Sequence, residues 1–215
     1  SGCISLKSVT IPNTITIIGN NMFKDCSSLD SITIPNSVTK IGENAFSGCT
    51  NLTKITIPDS VTEIGENAFS GCTSLTRITI PDSEVRIGEG AFLNCSNLKT
   101  INIPNTVQFI GSTTFKGCDS LQYNEFDNAL YLGNDENKYL WLVKEKSPDI
   151  TSCEINSKCK YIADYAFDGC TRLTSISIPN SVVYIGYSAF AGSSIAYINI
   201  PKSVIYIGEK AINGL

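Results

Sequence analysis

The stretch LTKITIPDSVTEIGENAFSGC, residues 52–72, decides the fold, because close copies of it follow one another at a fixed spacing. Pro12, Pro35, Pro58, Pro81 and Pro104 recur every 23 residues, and Cys3, Cys26, Cys49, Cys72, Cys95 and Cys118 keep the same period. A period in the twenties marks a solenoid, each copy making one coil. Aliphatic residues open the copies at Leu6, Leu29, Leu52, Leu75, Leu98, Leu121, Ile150, Leu173 and Ile195, which gives nine units. Most have 23 residues, and the irregular one, 121–149, has 29. Within 52–72, Ile55 and Ile57 alternate with Lys54 and Thr56, so a short strand turns the isoleucines inward and the polar pair outward. Pro58 removes a donor and starts a turn with Asp59 and Ser60; Val61 and Ile64 return to the interior, and Gly65 allows a second bend. The segment 66–70, with Ala68 and Phe69 inward, reads as a short helical turn closed by Gly71.

One such coil cannot bury its apolar face, whereas coils stacked about 4.8 Å apart join their strands into a parallel sheet and their side chains into columns. The expected core is a set of ladders, of which Phe23, Phe46, Phe69, Phe92, Phe115, Phe167 and Phe190 form one. By register Ile212 and Leu215 fall in the phenylalanine and cysteine columns, so the chain stops inside a unit. Solenoids close with polar caps, and the sequence is therefore expected to be part of a longer protein.

The pattern L-x-x-I-x-I-P-x-S-V-x-x-I-G-x-x-A-F-x-x-C resembles the BspA-type leucine-rich repeat over nearly the whole chain. The resemblance implies a single leucine-rich-repeat domain over 1–215. Its expected form is an α/β-type repeat solenoid, a right-handed coil with a parallel β-sheet on one face and short strands and helical turns on the other. It further implies a surface-exposed or secreted protein of anaerobic bacteria or some protozoa, adhering to host proteins or other cells. The fold transfers with the repeat, whereas the ligand does not.

Composition narrows the function. The net charge is −4 and the basic residues are scattered, so no phosphate-binding groove, and hence no nucleic-acid partner, is expected. No run of about 18 apolar residues argues for membrane insertion. Histidine is absent, which removes the commonest general base and nitrogen ligand. No nucleophile with a base and no facing pair of carboxylates emerges, so no enzyme, cofactor or metal site is expected. Cys153, Cys159 and Cys170 lie close in sequence but hold the register of Ile32, Val38 and Cys49, all inward. The cysteines thus read as small buried apolar side chains, and stacked parallel columns give poor geometry for disulfides.

Function is sought where the copy fails. The irregular unit contains ALYLGNDENKYLWLVKEK, residues 129–146, whose alternation on either side of 134–137 predicts a β-hairpin that projects from or replaces the helical side. Tyr131, Tyr139 and Trp141 are its candidate contact aromatics. They would adjoin an outward sheet column of Lys54, Arg77, Thr100, Tyr123, Ser175 and Tyr197, the preferred surface for a protein or glycan, on extracellular matrix or a host cell. Tyr161, Tyr184 and Tyr206 take the outward column held earlier by Lys40, Glu63 and Arg86; Val183 and Ile205 stand beside them, and Tyr165 and Tyr187 lie near the Glu43 and Asn44 columns. This stripe is the candidate for association with a second copy, the alternative role being a structural spacer. Finally, Glu84 occupies the inward position of Val38 and Val61, which predicts a slip that turns Val85 inward.

Overall fold

The computed structural model describes residues 2–213, so Leu215 lies outside the described residues. It divides into two compact units, Ser1–Gln122 and Tyr123–Leu215. Each is a stack of short, largely parallel strands joined by tight turns.

In the first unit the predicted strands form with the predicted faces. Lys54–Thr56 and Arg77–Thr79 expose their outer residues and bury Ile55 and Ile78. These strands pair in twos: Ser31–Thr33 with Lys54–Thr56, and Arg77–Thr79 with Thr100–Asn102. A second sheet, made of the short strands that the resemblance implied, is the longer one. Ile17–Ile18, Lys40–Ile41, Glu63–Ile64, Arg86–Ile87 and Phe109–Ile110 form five parallel strands in register, each with its second residue, an isoleucine, buried. A segment of two residues carries too little alternation to be placed as a strand from spacing alone, although isoleucine before glycine recurs in seven of the nine copies.

The helical turns are corrected: the described residues contain no helix, and 66–70 is a run of turns. Two residues per copy sit in the left-handed region. Asn44, Asn67 and Gly90 have φ of 52°, 52° and 60°, and four positions later Gly48, Gly71 and Asn94 have 74°, 72° and 57°. A right-handed helix cannot run through either position. The hydrogen bonds also leave the coil: Asn44, Phe46 and Gly48 donate their N–H groups to the carbonyls of Glu66, Ala68 and Ser70 in the next coil, at 2.8, 2.7 and 2.8 Å. The N–H groups between them close local turns, as from Ser47 to the Asn44 carbonyl at 3.2 Å. Stacking therefore satisfies the backbone that a helix would have satisfied internally.

The expected columns fill the core. Phe23, Phe46, Phe69 and Phe92 stack at centroid separations of 5.2, 5.3 and 5.4 Å, and Phe167 with Phe190 at 5.6 Å in the second unit. The slip at Glu84 forms as anticipated, with Glu84 exposed and Val85 buried. Gly65 corrects a reason: its φ is not positive, but a Cβ there would lie 2.7 Å from Glu43 N and Gly42 C. Glycine is required because the preceding coil passes so close.

In the second unit the hairpin forms as Ala129–Leu132 against Trp141–Glu145, with Asn124–Phe126 as a third antiparallel strand. It does not replace a helical side. Trp141–Glu145 takes the place of a second-sheet strand and pairs in parallel with Tyr161–Ile162, which is followed by Tyr184–Ile185 and Tyr206–Ile207. Ala163 stands where Gly42, Gly65 and Gly186 do, and its N–H makes the same bond to the preceding coil, reaching the Leu142 carbonyl at 2.9 Å.

Candidate interaction surface

The outward residues named from the sequence fall into three groups. Lys54 and Arg77 project from the sheet face of the first unit and are exposed. Tyr197 is 80% exposed in the second unit, and Tyr123 is half-buried, with the Lys144 ammonium 5.4 Å from its ring centre. Lys54 and Arg77 do no packing that the fold requires of them, since Ile55 and Ile78 beside them fill the core.

The hairpin aromatics are otherwise placed. Tyr131 is fully buried, and its hydroxyl accepts the Asn156 N–H at 3.2 Å. Trp141 is 2% exposed. Neither offers surface to a ligand, which corrects their reading as contact aromatics: both lie on strands that take the register of inward or stacked positions. Tyr139 is half-buried, edge-on to Tyr131 at 5.6 Å and to Phe126 at 6.0 Å. Alternation alone could not say which side of the hairpin was wet.

What the sequence reading kept apart, the structure joins. Because the hairpin strand enters the second sheet, Trp141 heads the tyrosine column. Its ring stacks on Tyr161 at 4.7 Å and lies 6.3 Å from Tyr184, and Tyr184 stacks on Tyr206 at 4.7 Å with ring planes 7° apart. The ladder runs from buried Trp141 to half-exposed Tyr206, flanked by Val183, partly buried, and Ile205, 85% exposed. On the turn rim Tyr165, 46% exposed, meets Tyr187 edge-on at 5.3 Å. Lys210 Nζ lies 5.8 Å from the Tyr187 ring centre, and hydrogen bonding to Tyr187 raises the pKa of that ammonium.

The cysteines have a packing role with a polar component. All nine are free. The Sγ of Cys49, Cys72, Cys95 and Cys118 donates to the carbonyls of Phe23, Phe46, Phe69 and Phe92 in the preceding coil, at 3.1 to 3.3 Å. Burial pushes Cys49, Cys95, Cys153 and Cys159 up to about 12 and Cys118 and Cys170 to about 11. A nucleophilic or metal-binding thiol needs the opposite shift. Ser193, which takes the cysteine position after Cys170, is buried, and its hydroxyl finds no partner.

The family profile described as BspA type leucine rich repeat region matches six copies over residues 1–122 and 145–214, leaving out most of the hairpin unit. Among solved structures, a leucine rich repeat protein of T. pallidum is 30% identical, the match covering 86% of this chain and 76% of that one with a TM-score of 0.57. One from Bacteroides ovatus is 26% identical over 99% and 78%, with a TM-score of 0.50. One from Eubacterium ventriosum is 26% identical over 94% and 56%, with a TM-score of 0.52. No curated protein matches the chain.

Proposed function

The chain belongs to the BspA-type leucine-rich repeat family, and on that premise we propose that it is a non-enzymatic recognition module, binding a host or cell-surface protein or glycan outside the cell. The sheet faces of its units are the contact surfaces. The observation that carries this reading is the division of labour along the strands: Ile55 and Ile78 are 6% and 0% exposed, while Lys54 and Arg77 on the same strands stay in solvent; Tyr197, which lies outside any strand, shows four-fifths of its surface. Solenoids bind by area spread over many coils, with a few aromatic and arginine anchors supplying most of the energy. Burial holds the Cys72 and Cys95 thiols protonated, which makes them poor nucleophiles. The placement outside the cell rests on family resemblance.

An array of extracellular-matrix proteins and glycans tests the reading. Binding to at least one class should weaken about tenfold or more in Arg77→Ala or Tyr197→Ala, as expected for anchor residues. A silent array, or binding indifferent to both changes and to Lys54→Ala, overturns it.

A second reading, association of copies, is favoured by the exposure of Ile205, Tyr206 and Ile207 at 85%, 51% and 44%. Sedimentation velocity of the chain beside Tyr206→Ser tests it, and a monomer at all concentrations refutes it.

A further inference from the structure

We propose that Tyr165 and Tyr187, on the turn rim of the second unit, form a subsite for a single sugar ring. Four observations converge there. First, Tyr165 has φ of 59°, in the left-handed region where the same turn position holds Asn44, Asn67 and Gly90. Thr113, Ser188 and Lys210 hold the same position with φ of 56°, 50° and 58°, so the left-handed turn belongs to the repeat and fixes where the Tyr165 side chain leaves the coil.

Second, the two rings meet edge-on, 5.3 Å apart with planes at 66°, and Tyr165 remains 46% exposed. The corner is held by the backbone: the Tyr165 N–H donates to the Tyr187 carbonyl at 2.9 Å, and Asp164 Oδ1 accepts the Tyr187 N–H at 2.8 Å. The rings are therefore positioned before any ligand arrives, which lowers the entropy cost of binding.

Third, the residues that meet in this way in the first unit are Asn44 with Glu66 and Asn67 with Glu89, so the aromatic pair is particular to this unit. Fourth, the surroundings are polar. Asp168, Glu209 and Lys210 are exposed, and Lys210 reaches the Tyr187 side chain. Two rings amid charges are far too small for a stable protein interface, which takes roughly 800 Å² from each partner. They match a pyranose, whose C–H face lies on an aromatic ring while its rim of hydroxyls meets carboxylates and an ammonium.

The inference rests on reading the chain as a recognition module, but on residues separate from the sheet faces. Saturation-transfer NMR with methyl β-D-galactopyranoside, methyl β-D-glucopyranoside and methyl α-D-mannopyranoside tests it. The variants Tyr165→Asn and Tyr187→Glu install residues that the same coil positions carry in the first unit, and unchanged circular dichroism verifies that they fold. Transfer to the ring C–H protons of at least one glycoside is expected, weakened about tenfold or more in both variants. No transfer from any of the three, or transfer indifferent to Tyr165→Asn, overturns the subsite. So does a peptide ligand that needs Tyr165 and is not displaced by the glycosides. Array binding that depends on Arg77 or Tyr197 would survive either failure, which keeps the two readings distinguishable.

Discussion

The glycine of the repeat is explained by its neighbour in space. At Gly65 an added Cβ meets the Glu43 N and Gly42 C atoms at 2.7 Å, and at Gly88 it meets Glu66 N at 2.6 Å, whereas at Gly19 nothing lies within 4 Å. None of these glycines has a positive φ, so the backbone conformation itself would admit alanine. Gly65→Ala must push two coils apart, and it is expected to cost about 2–3 kcal/mol, the range of core overpacking. Gly19→Ala should be neutral or stabilise by about 0.5 kcal/mol through the unfolded chain. Urea melts of the two variants check the pair, and equal effects would show that close approach is not the reason for the glycine. Ser193 extends the same logic to polar atoms. The shorter hydroxyl leaves the carbonyl ladder of the cysteine column unextended, so Ser193→Cys is expected to stabilise by about 1 kcal/mol, a typical net hydrogen bond, read from the same melts.

At the scale of the element, what was legible followed from period. The Ile55 and Ile57 alternation, the phenylalanine and cysteine columns, the hairpin over 129–146 and the slip at Glu84 could all be read because each is a spacing of side chains. The helical turn was misread because the apolar pattern of Ala68 and Phe69 does not state where the backbone hydrogen bonds go. The left-handed residues Asn67 and Gly71, four apart, were the available signal against a helix. Burial of Tyr131 and Trp141 was hidden for a related reason: a strand can be wet on one side, on the other, or on neither, and only the partner strands decide. The hairpin owes part of its fixation to that burial. Its Tyr131 hydroxyl is the partner of the buried Asn156 N–H at 3.2 Å. Tyr131→Phe keeps the ring and removes the acceptor, so the orphaned donor should cost about 1–3 kcal/mol. Hydrogen exchange at the Asn156 amide checks it, since that proton should lose protection well before those of the phenylalanine turns. Retained protection at Asn156 would mean that the phenol does no more than fill space.

For the whole molecule, the columns of buried thiols make stability depend on alkali. A thiol in the unfolded chain titrates near its ordinary value of 9.0, while burial holds Cys49, Cys95, Cys153 and Cys159 protonated up to about 12, and Cys72 well above its ordinary value. Burial pushes the Tyr131 phenol up in the same direction. Below about pH 8 neither state ionises these groups, and their contribution is fully present. Between 9.0 and about 12 the unfolded chain has released protons that the folded chain still holds, so it binds fewer, and the free energy of unfolding falls with rising pH. Each buried thiol adds to the slope, which distinguishes this chain from a fold stapled by disulfides, where no such protons exist. The denaturation midpoint should therefore be level from pH 7 to about 8 and drop continuously to about 10.5. In Cys95→Ala the midpoint is lower throughout, from the lost volume, but its fall with pH is shallower because one titrating group is gone. A slope equal to that of the unaltered chain would show that Cys95 titrates alike in both states, and that the column is open to solvent when folded.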